Sequence, residues 1–299
     1  VSTPYRDRCS HFDGQDILEA GIADLSEGLS RDGWLNRMLQ ALPGVTTETA
    51  YAIGSDALSV LDGAAPVSRW TPEADLALSP QAIRLAELVM QDDPAMAAAL
   101  AGAFRLADGD GDGLAVTGGL GEMMDMVRED MRAARQPGGA LRVAEFAAER
   151  LSQDARIAAF SVNGFDTHFD QARTLRQALT RLADTITTLK DTMPPAVWGR
   201  TAVVAMTEFG RTARLNGTKG TDHGTGGAML LAGGAVRGGR VYGDWPGLSE
   251  ADLYDRRDLM ATRDVRAYAG WLIHGLFGLD QSRIIGDVFP RLDLGSDPG

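Results

Sequence analysis

The sequence has little cysteine, and this limits the chemistry that is open to it. Among 299 residues there is a single cysteine, Cys9, so no intramolecular disulfide can form. We expect Cys9 to be a plain small side chain, with a reactive thiol as the alternative. The same scarcity excludes a structural zinc site built from thiolates, because such a site needs several cysteines.

Long hydrophobic runs are also missing. No apolar stretch approaches the ~20 residues that a membrane-spanning helix needs, and the first residues do not resemble a signal peptide. The sequence begins with Val1, and its opening letters, VSTPYRDR, are typical of a chain already in progress. We therefore expect no membrane span in these residues, and we expect an upstream segment to precede them.

Positive charge is scarce. Lysine and arginine number 29 against 41 acidic residues, which gives a net charge of −12. Nucleic-acid binding needs a basic face for the phosphates, so we expect no nucleic-acid partner. Hydrophobic residues at 44% and charged residues at 23% are typical of a globular domain with a sizeable core. The acidity is compatible with cation binding but is too general to indicate a function.

The first half of the chain shows mainly helical patterns. Residues 30–42 have helical spacing, whereas residues 54–78 are turn-rich. Residues 79–152 are dominated by alanine, leucine, methionine, glutamate and arginine, all of which favour helix. We predict that 79–152 is a helical insertion within a single α/β domain that spans 1–299.

One acidic loop in this insertion resembles a calcium site. Asp108, Asp110 and Asp112 are placed as in the opening of an EF-hand loop, but Gly119 stands where a bidentate glutamate is required. A flexible acidic turn is therefore the prediction, with a calcium-binding module as a weaker alternative.

The second half of the chain has a different pattern. Residues 156–162, 201–207 and 228–234 are short apolar runs, as expected for strands buried on both faces of a mostly parallel sheet. A long amphipathic helix over 169–193 separates the first two runs, which makes a strand–helix–strand unit and indicates an α/β fold. A final helix over 263–279 is predicted to pack on the sheet.

Polar clusters follow these predicted strands. Asp166 and His168 come just after the first strand, and Glu208 and Arg211 just after the second. The loop TDHGTGG then brings Asp222 and His223 to the start of the third. In an open α/β sheet, ligands bind beyond the carboxyl ends of the strands, so we expect these side chains to lie close together.

The residue types in these clusters favour a metal. Imidazole and carboxylate ligands suit zinc, with manganese and iron as alternatives. Three of the four histidines, His11, His168 and His223, lie in polar, glycine-flanked stretches, whereas His274 lies in an apolar one and is predicted to be a core or surface residue. The competing interpretation is that each carboxylate caps a turn and each histidine bonds locally.

Three further residues are candidates for chemistry. Arg211 could clamp phosphate or sulfate oxygens beside a metal, or it could form an ion pair with Glu208. Ser10 is a candidate nucleophile without a visible activating partner, and His11 follows it directly.

Five motifs together resemble the bacterial domain-of-unknown-function family 1501, which is placed in the alkaline phosphatase and sulfatase clan. The resemblance covers nearly the whole chain, and the motifs are YRDRCSHFDGQDILEAG, SVNGFDTH, TEFGRT, TDHGTGGAMLLAGG and RDVRAYAGWLIHGLFGL. It implies a doubly wound, alkaline-phosphatase-like α/β fold with two adjacent metals, often zinc. It also implies hydrolysis of phosphate or sulfate monoesters, that is, a small anionic ester as substrate.

The resemblance also implies particular roles. Asp166, His168 and His223 look like the ligands of the first metal. From its position beside His223, Asp222 is a candidate metal ligand or a residue that could orient His223. Glu208 occupies the place of an Asp-His pair that holds the second metal, although Phe209 follows it here. Ser10 or His11 falls in the region of the clan's nucleophile.

Other features implied by the resemblance would lie upstream. The clan's opening strand, with a metal-binding aspartate, should precede SHFDGQD, and members of the family carry a twin-arginine export signal. We therefore expect a periplasmic or exported protein, whose missing N-terminal segment could act as a separate chain.

Two functions remain open from the sequence. The first is a metal-dependent hydrolase, in which the metal polarises the ester and the Ser10 hydroxyl or an activated water attacks. The second is a non-catalytic exported protein that keeps the fold for metal binding or assembly.

Overall fold

The computed structural model describes residues 1–3, 10–23, 32–54, 58–71 and 139–298. Most of the predicted helical insertion and its acidic loop with Asp108 to Gly119 lie outside the described residues, as does Cys9. The described end of the insertion, residues 139–152, begins with helix as predicted.

The central element is a parallel sheet of three short strands. These are β1 (Ala50–Ile53), β2 (Ser68–Trp70) and β3 (Ile157–Ala159), in the order β2-β1-β3. The register pairs Ala50 with Ile157 and Tyr51 with Ser68. Parallel strands require long crossover connections, and the connection from β2 to β3 includes the whole predicted insertion.

Helices cover both faces of this sheet. The helices are α1 (His11–Ala20), α2 (Trp34–Gln40), α3 (Gly139–Leu151), α4 (Gln171–Thr192), α5 (Pro195–Trp198), α6 (Val265–Phe277) and α7 (Gln281–Arg283). Along β1, Ala50 and Ala52 belong to one buried cluster with residues of α2 and α6, and Tyr51 and Ile53 belong to another with residues of α3 and α4. Because side chains alternate along a strand, this division places the two clusters on opposite faces of the sheet.

The two long helices predicted in the second half are confirmed. Helix α4 buries Ala178, Leu182, Thr185 and Leu189, whose spacing of three and four residues defines one helical face. Helix α6 begins after Asp264, whose side chain accepts a hydrogen bond from the Arg266 backbone, and ends at a left-handed glycine.

The predicted strand–helix–strand unit differs from the observed pairing. All three predicted apolar runs contain a strand, in β3, β4 (Val203–Ala205) and β7 (Leu230–Ala232). However, β4 pairs with β7 in the antiparallel direction, so within the described part of the chain these two strands form a sheet separate from β3. Apolar composition predicts burial of such runs, but it does not specify strand direction.

Strands β1 and β2 were not predicted from the sequence. Strand β1 lies between residues 30–42, predicted to be helical, and the turn-rich residues 54–78, and β2 lies within the latter. Both are only three or four residues long, which is too short for a periodic signal.

A buried arginine ties distant segments of the chain together. Arg37 in α2 is only 8% exposed, and its guanidinium donates to the carbonyl oxygens of Ala20 at the end of α1, Asp32 before α2, and Asp287 and Val288 near the C-terminus. Burial lowers the pKa of Arg37 to about 10, and the group stays charged at neutral pH.

We predict a large loss of stability when this arginine is replaced. Arg37→Met fills similar space but leaves several buried carbonyl oxygens without a donor, and we expect the free energy of unfolding to fall by about 3 kcal/mol. Arg173→Met is the matched control, because the Arg173 side chain is 58% exposed and its ion pair among the described residues is the surface pair with Asp170. Urea unfolding measures both variants, and equal losses would contradict the role of Arg37.

None of the described helices is both long and apolar enough to span a bilayer. This agrees with the expectation from the sequence for these residues.

Candidate metal centre

The candidate site is assembled from four separate stretches of backbone. Asp166 and His168 follow β3, and Glu208 follows β4. A two-stranded antiparallel ribbon, β5 (Gly210–Arg211) and β6 (His223–Gly224), places Arg211 directly opposite His223.

The fourth stretch is the start of helix α1. It brings His11 to the same place, although His11 is separated from Asp166 by 155 residues in sequence.

Asp166 is the centre of this cluster. Its Oδ1 lies 2.9 Å from His168 Nε2 and 3.1 Å from His223 Nε2, and its Oδ2 lies 3.3 Å from His11 Nε2. The Nε2 atoms of His168 and His223 are themselves 3.0 Å apart. Three imidazole nitrogens therefore point towards one carboxylate.

Two other carboxylates contact the far side of these imidazoles. Glu208 Oε1 lies 2.7 Å from His11 Nδ1, and Asp222 Oδ1 lies 3.3 Å from His168 Nδ1. The structure places Asp222 against His168, a contact that the sequence did not predict. Asn216 donates to the same Asp222 oxygen at 2.8 Å and so fixes that carboxylate.

Arg211 is directed towards Asp166, not towards Glu208 as one of the sequence alternatives had it. Its Nη1 donates to Asp166 Oδ1 at 2.6 Å, while its Nη2 and Nε donate to the backbone oxygen and the hydroxyl of Thr221 at 2.6 and 3.1 Å. Three donor nitrogens are thus held within the protein, and the guanidinium fixes the orientation of Asp166.

The surroundings shift the pKa values of the cluster. Partial burial raises the pKa of Asp166, but hydrogen bonds from Arg211, His223 and His11 outweigh it and lower this pKa to about 2. For His11, burial lowers the pKa, but the hydrogen bonds to Glu208 and Asp166 raise it above its ordinary value. Asp166 is therefore ionised at neutral pH and carries the negative charge that faces the imidazoles.

Close backbone approach at two glycines shapes the site. A Cβ on Gly220 would lie 2.0 Å from the carbonyl carbon of His168, and a Cβ on Gly210 would lie 1.7 Å from the Gly226 oxygen. Only glycine allows these backbones to approach so closely. Gly220 therefore has a packing role in the loop that precedes His223.

Phe209 packs against two of the histidines, His11 and His223. Its ring centroid lies 4.1 Å from that of His223 and 4.9 Å from that of His11. The phenylalanine follows Glu208 in sequence and restricts the tilt of both imidazoles by contact.

The cluster borders a large cavity. This cavity has a volume of about 1740 Å³, and its lining includes His11, Asp166, Glu208 and Arg211 as well as successive residues of β3 and β4. As bounded by the described residues, the space beside the cluster is larger than the ~300–1,000 Å³ of ordinary small-molecule pockets.

Two other sequence candidates lie apart from these contacts. Ser10 precedes His11 at the start of α1, and its side chain makes no capping hydrogen bond to that helix in the described part of the chain. His274 has its Nδ1 2.8 Å from the Leu279 carbonyl oxygen, near the end of α6.

The donor set fits a divalent metal. Ligand atoms of His11, Asp166 and His223 all lie within 4.8 Å of one another, and His168 adjoins two of them. His11 was assigned from the sequence to the nucleophile region, so its place in this group is new. The sequence signal that could have indicated it is the short polar stretch SHFDGQD, with a histidine beside acidic residues.

Comparison with other proteins addresses the family but not the chemistry. Neither curated proteins nor solved structures give a significant match to this chain. A protein-family model does match, over residues 4–269, and its description is "Protein of unknown function (DUF1501)". Because the match spans most of the 299 residues, the chain belongs to the DUF1501 family.

Proposed function

We propose that His11, Asp166, His168 and His223 bind one zinc ion. The observation that supports this most strongly is the convergence of three imidazole Nε2 atoms on the Asp166 carboxylate, at 2.9, 3.1 and 3.3 Å. With zinc–nitrogen bonds of about 2.0–2.1 Å, tetrahedral ligand atoms lie about 3.3 Å apart, which is close to these separations.

The contact between two imidazoles gives further support. His168 Nε2 and His223 Nε2 lie 3.0 Å apart, and both also face Asp166 Oδ1. Without a cation, one of these nitrogens must carry a proton for the contact to be favourable. A bound cation would satisfy both lone pairs at once, and neutral imidazole with carboxylate is a donor set that zinc prefers.

Glu208 and Asp222 take a different role in this proposal from the one the sequence suggested. Both were candidate metal ligands, and we now propose that they orient His11 and His168 through the Nδ1 atoms that they contact. A carboxylate on the outer nitrogen of a ligating histidine fixes its tautomer and increases its basicity.

We further propose that the chain is a hydrolase of phosphate or sulfate monoesters with an alkaline-phosphatase-like, doubly wound sheet. Support for the substrate class comes from the motif resemblance, and support for the site comes from its position beside an open cavity. When bound, zinc would polarise an ester oxygen. Arg211 holds Asp166 ionised and oriented, and Glu208 holds His11 in place.

A second candidate, a non-catalytic exported metal-binding protein, is favoured by one observation. Phe209 stands where the clan has a ligand, and it packs against His11 and His223. An aromatic ring there supplies no ligand for a second metal.

Elemental analysis and an ester assay distinguish these candidates. We expect one zinc per chain after purification, and turnover of 4-nitrophenyl phosphate or 4-nitrophenyl sulfate by the zinc-loaded protein. Treatment with a chelator should remove the zinc and abolish the ester turnover. One zinc per chain without turnover of either ester would reject the hydrolase and support the second candidate, and no zinc after loading would reject both.

A further inference from the structure

A buried aspartate outside the cluster holds the loop that carries His223. Asp258 is only 5% exposed, and its Oδ2 accepts hydrogen bonds from the backbone nitrogen and the hydroxyl of Thr225, each at 3.1 Å. Thr225 is 4% exposed and lies two residues after His223. The carboxylate therefore fixes the backbone where strand β6 ends.

The residues that flank Asp258 contact both strands of the β5–β6 ribbon. The Ala213 backbone nitrogen donates to the Arg257 carbonyl oxygen at 3.0 Å, next to β5. The Gly226 nitrogen donates to the Leu259 carbonyl oxygen at 2.9 Å, next to β6. Arg257 also donates through Nη2 to the His223 carbonyl oxygen at 3.0 Å.

The other oxygen of Asp258, Oδ1, is buried beside Arg257. Within the described part of the chain, Oδ1 is buried and makes no hydrogen bond, although Arg257 Nη1 lies 3.1 Å from it. A buried carboxylate is unfavourable unless its contacts compensate for lost hydration. The contacts that compensate here are those to Thr225 and Arg257. Thr225 is two residues from His223 in the chain, and Arg257 donates a hydrogen bond to the His223 carbonyl oxygen.

We infer that Asp258 is a positioning residue for the zinc site: through Thr225 and Arg257 it fixes the backbone of His223 and so directs His223 Nε2 towards Asp166. This inference rests on the proposed zinc site. It adds a residue that makes no contact with the cluster of ligands and whose effect on the metal is exerted through the β5–β6 ribbon.

The test uses two variants and one control. Asp258→Asn keeps the side-chain shape but removes the charge, and Thr225→Val removes only the hydroxyl donor. Asp264→Asn is the control, because Asp264 also accepts a backbone hydrogen bond, at the start of α6, and pairs with Arg266 at 2.8 Å. Zinc affinity is measured by competition with a chromogenic chelator. The geometry of the site is measured by the visible absorption spectrum of the cobalt-substituted protein. Stability is measured by urea unfolding without metal.

We expect zinc affinity to fall by about tenfold to a hundredfold in Asp258→Asn, and by a smaller factor in Thr225→Val. The cobalt spectrum should shift in both variants and stay unchanged in Asp264→Asn, even where that control is equally destabilised. A spectrum and affinity unchanged in both variants would overturn the inference while leaving the zinc site intact. If Asp258→Asn fails to fold, the zinc affinity and cobalt spectrum of Thr225→Val alone test the inference. Wild-type protein that binds neither zinc nor cobalt would overturn both proposals.

Discussion

Replacement of Asp166 by asparagine is expected to weaken zinc binding by at least about a hundredfold. The Asp166 carboxylate contacts His11, His168, His223 and Arg211. Its negative charge therefore acts on all three imidazoles of the cluster. If about 10–16 kcal/mol of zinc affinity is divided among four ligands, each provides about 3 kcal/mol, so zinc affinity should fall by at least about a hundredfold.

The measurement is zinc content after dialysis against buffered zinc, together with ester turnover where the wild type shows it. Asp184→Ala is the control, since Asp184 is an exposed aspartate on α4. Retention of one zinc per chain by Asp166→Asn, at wild-type affinity, would reject the proposed ligand set. The asparagine keeps the size of the side chain, which separates the loss of a ligand from a general loss of packing.

Replacement of Gly220 by alanine is expected to disturb the site from the backbone. The new Cβ would lie 2.0 Å from the carbonyl carbon and 2.1 Å from the carbonyl oxygen of His168. These are backbone atoms, so the residue that carries a proposed ligand must move by about 1 Å, and a displacement of that size can reduce catalysis by about a hundredfold. We expect a comparable fall in zinc affinity.

Gly217 provides a matched control in the same loop. A Cβ there would have no atom within 4 Å, so Gly217→Ala should bind zinc as the wild type does. Zinc competition and thermal unfolding of both variants test the comparison. Equal affinity in the two variants would show that the His168 backbone does not depend on close packing against Gly220.

The sequence predicted that Asp166, His168 and Glu208 would lie close together, because each follows a predicted strand. The structure brings them together although β3 and β4 belong to separate sheets in the described part of the chain, so strand order alone does not explain the cluster. The β5–β6 ribbon adds His223 opposite Arg211. Their roles as ligands remain a prediction.

The position of His11 in the cluster could not be predicted from the sequence in the same way. It lies on a helix 155 residues before Asp166, and no local pattern connects the two. The contact of Asp222 with His168 was not predicted either, because it depends on side-chain direction. Sequence neighbours need not face each other in space, and Asp222 contacts the histidine 54 residues away.

Strand pairing was the weakest part of the prediction. Residues 203–205 and 230–232 are apolar and were correctly expected to be strands, but their antiparallel pairing follows from the ribbon between them. Strands β1 and β2 have only four and three residues and are defined by tertiary contacts on both faces of the sheet.

If the proposed zinc site forms, the separation of its ligands along the chain would make folding depend on the zinc concentration. A metal that joins His11, Asp166 and His223 would close chain segments of 155 and 57 residues, and it could not do so in the unfolded chain. Through mass action, free zinc at a thousand times the dissociation constant would add about 4 kcal/mol to the folded state. The thermal midpoint of this protein would then depend on the free zinc concentration of the buffer as well as on the amino-acid sequence.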